Sequence, residues 1–213
     1  NNKKRKDLSE VLDNMRVIKN EYEVDLMRKS AEIAANAHIH AMKFTKQDIF
    51  EYEIEGEILN QFYKKDARNP SYSSIVASGV NACTLHYIKN NSKLKDGQLL
   101  LIDAGCEVEN YASDITRTYP VNGKFSPAQK EIYQLVLSSQ KSAIEKVKEG
   151  NFFDDPHKEV LKILIDGLLD LGLLDGSKDE IYEKELYKKF FMHRTSHWLG
   201  LDVHDVGKYL SNT

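Results

Sequence analysis

Positions Val24, Met27, Ala31, Ala34, Ala35, His38 and Met42 recur at helical spacing, behind Asn20-Glu-Tyr-Glu23. That lead-in has the form of a capping box, so a helix is expected from residue 20 onward. Thr45-Lys-Gln-Asp48 opens a second helix. Its expected inner face is Ile49, Tyr52, Gly56, Leu59 and Tyr63, with Gly56 marking close packing. Ser126-Pro127-Ala-Gln129 is a strong start signal: serine as cap, proline in the first turn, glutamine three residues on. Ile132, Leu135, Val136, Ser139 and Ala143 then face inward, and Gly150 sits past the end. Asp155-Pro156 opens a fourth helix with Val160, Ile163, Leu164, Gly167, Leu168 and Leu171 inward. A fifth, short and charged, covers Lys178 to Lys189.

Between these the period shortens. Ser74 to Ser78 and Thr84 to Tyr87 read as short strands around the turn Gly79-Val-Asn81. Gln98 to Asp103 and Tyr111 to Thr118 read as a longer hairpin. "FFMH" (190–193) is strand-like, and "TSHWLGLDVHDVG" (195–207) reads as strand and loop. No repeat, low-complexity linker or clean boundary interrupts the order of helices, sheet, helices, sheet. The expected class is α+β.

With 213 residues, 41% of them hydrophobic, the chain can build a sizeable core. A net charge of −3, from 30 basic and 33 acidic residues, shows no polyanion-binding character. Two cysteines, Cys83 and Cys106, make no disulfide framework and fit a reducing compartment, hence a cytoplasmic setting. No apolar run approaches the ~20 residues of a membrane span, and no signal peptide is visible. The chain starts Asn-Asn-Lys-Lys-Arg-Lys without methionine, as a processed piece would. That basic run is expected to be a solvated terminus rather than a localisation signal.

The chemistry candidates begin with Asp103 and Asp114, eleven residues apart. A turn centred on Val108-Glu109 sets them opposite one another, with both side chains on one face. Opposed like charges destabilise a sheet. They either lie toward solvent at a strand end or hold a divalent metal through hard oxygen ligands. Of seven histidines, His193, His197 and His204 fall within twelve positions, near exposed-looking Asp202 and Asp205. His193-Arg-Thr-Ser-His197 has the spacing of a helical zinc pair but lacks the glutamate of that motif. His86 follows "ACTL" and is weak by itself. No phosphate-binding glycine loop and no serine-nucleophile elbow occur.

"LHY" (85–87), "LLLIDAGCEVENYASDITRTYPVNGKFSPAQKEIYQLVL" (99–137) and "SHWLGLDVHDVG" (196–207) resemble the bacterial-type Xaa-Pro aminopeptidases, or aminopeptidase P. These are pita-bread metallopeptidases, with prolidase and methionine aminopeptidase. The resemblance runs from Met15 to Lys208. It implies a pita-bread catalytic domain over residues 20–213, incomplete at the carboxy terminus, after a connecting segment at residues 1–19. It implies removal of the first residue from peptides with proline second, at two divalent ions, usually manganese. Asp103 would bind one metal, Asp114 would bridge both, and His197 would ligate the other. His86 and His204 would line the cleft and assist proton transfer, and His193 would sit near the proline pocket. A homo-oligomer is implied for the intact enzyme, with no nucleic-acid or membrane partner. Such a metal pair lowers the pKa of an attacking water and polarises the carbonyl.

The sequence departs from the family pattern in two places. The family carries two glutamate ligands after the "HDVG" segment, and this chain stops at Thr213 before either; the tail Ser211-Asn-Thr no longer follows the family. Arg194 stands where the family usually has glycine. The expectation is therefore a metallopeptidase lineage, with weak or no activity for these 213 residues alone. The alternatives are a prolidase-type dipeptidase and a non-catalytic binding module of the same fold.

Overall fold

The computed structural model describes residues 7–208. The basic run at 1–6 and the tail from residue 209 lie outside the described residues. Its described residues form two compact units, one of residues 7–125 with 198–207 and one of residues 126–197 with 208.

The first unit opens with α1 (Ser9–Val17), α2 (Glu21–Phe44) and α3 (Glu51–Lys64). The sequence places the start of α2 correctly. Asn20 accepts the Glu23 N–H at 3.1 Å, and Glu23 accepts the Asn20 N–H at 2.7 Å. The buried face shares Ala34 and His38 with the expected one but is shifted elsewhere. Leu26, Ser30, Ile33, Ala34, Ala37, His38 and Ala41 are buried, whereas Ala31, Ala35 and Met42 are exposed. Alanines flank both candidate stripes, so periodicity does not choose between them. The sheet does: Ser30 Oγ donates to Cys106 O at 2.6 Å, and His38 Nε2 lies 3.0 Å from Ala104 O. The inner face of α3 is likewise Glu51, Ile54, Ile58 and Phe62, while Tyr52 and Tyr63 are exposed. Each of the three apolar residues is fully buried and contributes about 1.5–3 kcal/mol. Gly56 faces open space and makes no close approach.

The strands are β1 (Asn69–Pro70), β2 (Ile75–Ser78), β3 (Leu99–Asp103), β4 (Cys106–Val108), β5 (Tyr111–Ala112) and β6 (Thr116–Pro120). They form two antiparallel sheets, ordered β1-β4-β5 and β2-β3-β6. The hairpin turns one residue later than expected. Glu109 and Asn110 take φ of 50° and 67°, the left-handed pair of a two-residue turn, and Val108 pairs with Tyr111. Asp103 therefore pairs with Thr116, not with Asp114. Moving the turn by one residue moves the register by two, so both aspartates keep a common face.

Two expected strands are absent among the described residues. Thr84 to Tyr87 follows a 3-10 turn (Gly79–Cys83) and is itself turn and bend. Side chains of Asn81 and Tyr87 bond the buried Glu51, which draws the segment into a compact excursion. "FFMH" is irregular, because the N–H groups of Phe190 and Phe191 both bond Tyr187 O rather than a strand. "TSHWLGLDVHDVG" is loop throughout, touching the sheet where Gly200 O accepts the Ala112 N–H at 2.9 Å.

The second unit contains α4 (Pro127–Glu145), α5 (Asp155–Asp170), α6 (Lys178–Glu183) and a 3-10 turn (Leu186–Lys189). Ser126 and Gln129 cap α4 reciprocally. Ser139 and Ala143 are buried, but Ile132 and Val136 are exposed, since α4 meets α5 along a narrower stripe than expected. Val160, Leu161, Leu164, Ile165 and Leu168 form the buried face of α5. Among the described residues no helix is long and apolar enough to cross a membrane.

Candidate metal and substrate site

Asp103 ends β3, and Asp114 lies in the link between β5 and β6. Bonds from Ala104 N–H to Ile115 O (3.0 Å) and from Ser113 N–H to Cys106 O (2.9 Å) set Asp114 across from Gly105. That crossing needs glycine. A Cβ at Gly105 would come 1.8 Å from Ser113 O, a backbone atom that no rotamer change can move. Gly105→Ala is expected to push the 113–114 backbone outward, lowering stability by about 3 kcal/mol and separating the two carboxylates. Urea unfolding and a crystal structure of the variant check both effects; wild-type stability would contradict the close approach.

The carboxylates meet on Tyr72. Its hydroxyl lies 2.5 Å from Asp103 Oδ1 and 3.0 Å from Asp114 Oδ1. Tyr72 is held in place by Ser71, whose N–H bonds Gly105 O (3.0 Å) and whose Oγ bonds Cys106 O (2.6 Å). Burial and the two carboxylates push the phenol pKa far up, so Tyr72 stays a donor. Burial also pushes the Asp103 carboxyl above the usual carboxylate range; the Tyr72 hydrogen bond opposes this and the Asp114 charge adds to it. One hydroxyl proton faces two acceptors. A cation there would relieve both the burial and the like-charge repulsion.

Around this pair lies a cleft of about 430 Å³, lined among others by Ser71, Tyr72, His86, Asp103, Asp114 and His204. His86 is exposed on a turn with φ of 54°, not at a strand end. The turn is pinned from below: Glu51 is fully buried and takes five donors from residues 78–92. His204 is exposed, but its neighbour Asp205 is buried, against the exposed reading of the sequence. Asp205 is held by Arg16 and Lys19.

His193 and His197 belong to the second unit. His193 Nδ1 lies 2.8 Å from Arg194 O, and Thr195 Oγ1 lies 2.7 Å from His157 Nδ1. Arg194 pairs with Asp154, beside the start of α5. The segment is thus organised by α5 rather than as a helix with i, i+4 histidines. The structure brings Asp103, Asp114, His86 and His204 to one cleft.

The family model for metallopeptidase family M24 matches residues 25–213. The chain belongs to metallopeptidase family M24. Among curated relatives, the Xaa-Pro aminopeptidase of Haemophilus influenzae is 54% identical over 199 residues, covering 93% of this chain and 46% of the relative. That of Escherichia coli is 48% identical, covering 93% and 45%. The structure of Pseudomonas aeruginosa aminopeptidase PepP superposes with a TM-score of 0.95 at 49% identity, covering 96% of this chain and 46% of that one. The chain spans about half the length of the relatives it matches, and over that part it has the pita-bread fold of the family.

The family implies divalent metal ions. Hard carboxylate oxygens from Asp103 and Asp114, half-buried and facing one another, fit such a cation as part of its shell. Among the described residues no group of three or more His, Cys, Asp or Glu side chains gathers closely enough to hold a metal alone. Sequence reasoning missed Tyr72, Glu51 and the Arg16–Lys19 pair. Tyr72 stands 31 residues before Asp103, in "NPSYSS", with no spacing signal.

Proposed function

We propose that the protein is a metal-dependent Xaa-Pro aminopeptidase, which removes the first residue from peptides with proline second. The observation that carries this reading is the convergence of Asp103 and Asp114 on one hydroxyl, inside a cleft that His86 and His204 also line. The names of its relatives support the substrate class.

Asp103 and Asp114 would hold the divalent ions, with His197 as a further ligand. Manganese suits the oxygen-rich set, though one solved relative is a zinc-substituted Escherichia coli aminopeptidase P with product. Such ions, when bound, activate the attacking water and polarise the scissile carbonyl. The prolyl nitrogen, like any amide nitrogen, must receive a proton as it leaves, because it departs as an amine and not as its anion. Imidazole is the side chain that most often carries this role, and His86 and His204 are the imidazoles of the cleft. Tyr72 would keep Asp103 and Asp114 aligned through its hydroxyl. His193 would form the wall of the proline pocket. Residues 20–213 would be catalytic-domain sequence, and residues 1–19 a connection. The intact enzyme would be a cytoplasmic homo-oligomer, a setting in keeping with two free cysteines.

The test compares an Xaa-Pro-Xaa tripeptide with an Xaa-Pro dipeptide at saturating manganese, in the protein at the length of its relatives. Cleavage of the tripeptide supports the aminopeptidase, and cleavage of the dipeptide alone makes the protein a prolidase. For the 213-residue chain by itself, manganese is expected to bind weakly, with little or no turnover. Asp103, Asp114 and His197 together would leave most of two roughly six-ligand shells to water. Calorimetric titration checks this, and two tight sites would contradict it.

A further inference from the structure

Asp205 is the chain neighbour of His204 and is almost fully buried. It accepts hydrogen bonds from Arg16 Nη2 at 2.5 Å and Lys19 Nζ at 2.7 Å. The same Arg16 nitrogen bonds Asp202 at 2.5 Å. These contacts join residues 186 to 189 positions apart. The loop from Trp198 to Gly207 is closed around this carboxylate. Asp205 N–H bonds Trp198 O at 3.0 Å, and Gly200 N–H bonds Asp202 O at 3.1 Å. A Cβ at Gly200 would come 2.2 Å from Asp205 Oδ2 and 2.8 Å from Lys19 Cε; one at Gly207 would come 2.3 Å from the Trp198 ring. Arg16 Nε is buried with no hydrogen-bond partner among the described residues. The guanidinium sits where Nη2 reaches both aspartates, although this leaves one donor unsatisfied.

We propose that Arg16 and Lys19 are positioning residues for His204: they hold, through Asp205, the loop that presents His204 to the cleft. The bearing of this on catalysis rests on the reading of His204 as a proton-handling residue. Residues 16–19, at the end of α1 and just beyond it, are therefore more than a tether. A buried carboxylate must be paired, so the place of Asp205, and with it that of His204, follows the two cations. Asp205 titrates below its ordinary range although burial works the other way, because Lys19, the Val206 N–H and Arg16 outweigh it. The pairing therefore persists at neutral pH.

The experiment uses the whole chain with ¹³C-labelled histidine rings, comparing wild type with Arg16→Met, Lys19→Met, Asp205→Asn and the charge-preserving Lys19→Arg. In the two methionine variants the His204 ring signal is expected to shift and broaden. Amide exchange at Asp205 and Gly200 should quicken at least tenfold, while His86 and the β3 amides of Leu101 and Ile102 stay as in wild type. Lys19→Arg should keep the wild-type His204 signal. Asp205→Asn removes the fully buried charge and leaves only the part-exposed Arg16 and Lys19 without it, with Arg16 still on Asp202, which guards against a variant that does not fold, and it should displace His204 in the same way. An unmoved His204 signal in Asp205→Asn and the methionine variants overturns the proposal. So does a His86 or β3 change of equal size, which would mark general loosening. Hydrolysis is not the readout, so failure of the peptidase reading leaves this result standing.

Discussion

Asp114→Ala is expected to abolish Xaa-Pro hydrolysis, and His86→Ala to lower it by on the order of 10²–10⁴-fold. The difference comes from where the two side chains sit. Asp114 shares the Tyr72 hydroxyl with Asp103 and stands where the backbone is pressed against Gly105. With alanine there, one of the two carboxylates that converge on Tyr72 is lost. His86 sits on an exposed turn at the rim of the cleft, where water can carry part of its role. Asp114→Asn keeps the shape and removes the charge, so it should resemble Asp114→Ala rather than His86→Ala. The measurement is kcat/KM on a tripeptide at saturating manganese, in the protein at the length of its relatives. Equal residual rates for Asp114→Ala and His86→Ala would contradict the ligand role.

Glu51→Ala is expected to cost the first unit on the order of 3–5 kcal/mol. Glu51 Oε1 accepts from Ser78 N–H and Ser78 Oγ, both at 2.7 Å, and from Asn81 Nδ2 at 3.0 Å. Oε2 accepts from Tyr87 OH at 2.8 Å and Ser92 N–H at 2.9 Å. Alanine leaves these donors facing a cavity, and the turn that carries His86 loses its anchor. Urea unfolding followed by Trp198, the single tryptophan and a member of the same unit, measures the loss. A change below about 1 kcal/mol would show that the donors find other partners.

The same carboxylate sets a pH dependence. Burial raises the Glu51 pKa, but hydrogen bonds from Ser92, Asn81 and Ser78 outweigh it, so the folded pKa lies below the ordinary value. A group depressed on folding stabilises above its unfolded pKa, about 4.3 for glutamate. That contribution is lost as pH falls through the folded value. Asp205 acts in the same direction. Asp103 is raised and acts oppositely, so folding relative to its ionised form is favoured as it gains a proton. Glu51→Gln should therefore flatten the acid limb of the stability curve, and the difference from wild type isolates the Glu51 part.

Much of the local structure was legible in the sequence. Asn20 and Ser126 announced α2 and α4, because a cap is a contact between residues three apart and needs nothing distant. The shared face of Asp103 and Asp114 was legible for a similar reason: parity along a hairpin survives a turn misplaced by one residue. The family motifs from Leu99 to Leu137 and from Ser196 to Gly207 identified the lineage that the relatives and the fold then established.

The sequence by itself determined the starts of α2, α4, α5 and α6, the strand parity that gathers two carboxylates, and membership of the metallopeptidase family; it missed α1 and opened α3 at Thr45–Asp48, whereas that helix begins at Glu51. Tertiary structure alone decided which face of α2 and α3 is buried, since stripes on either side were comparably apolar and only the sheet chose. It turned Thr84–Tyr87 from a strand into an excursion pinned on Glu51, 36 residues before Tyr87. It placed Tyr72 between the aspartates and buried Asp205 beneath Arg16, 189 residues away. The physical reason is common to these. Caps and alternation are satisfied within one turn of backbone, whereas a buried carboxylate is tolerable only where distant donors converge, and no local pattern encodes that convergence.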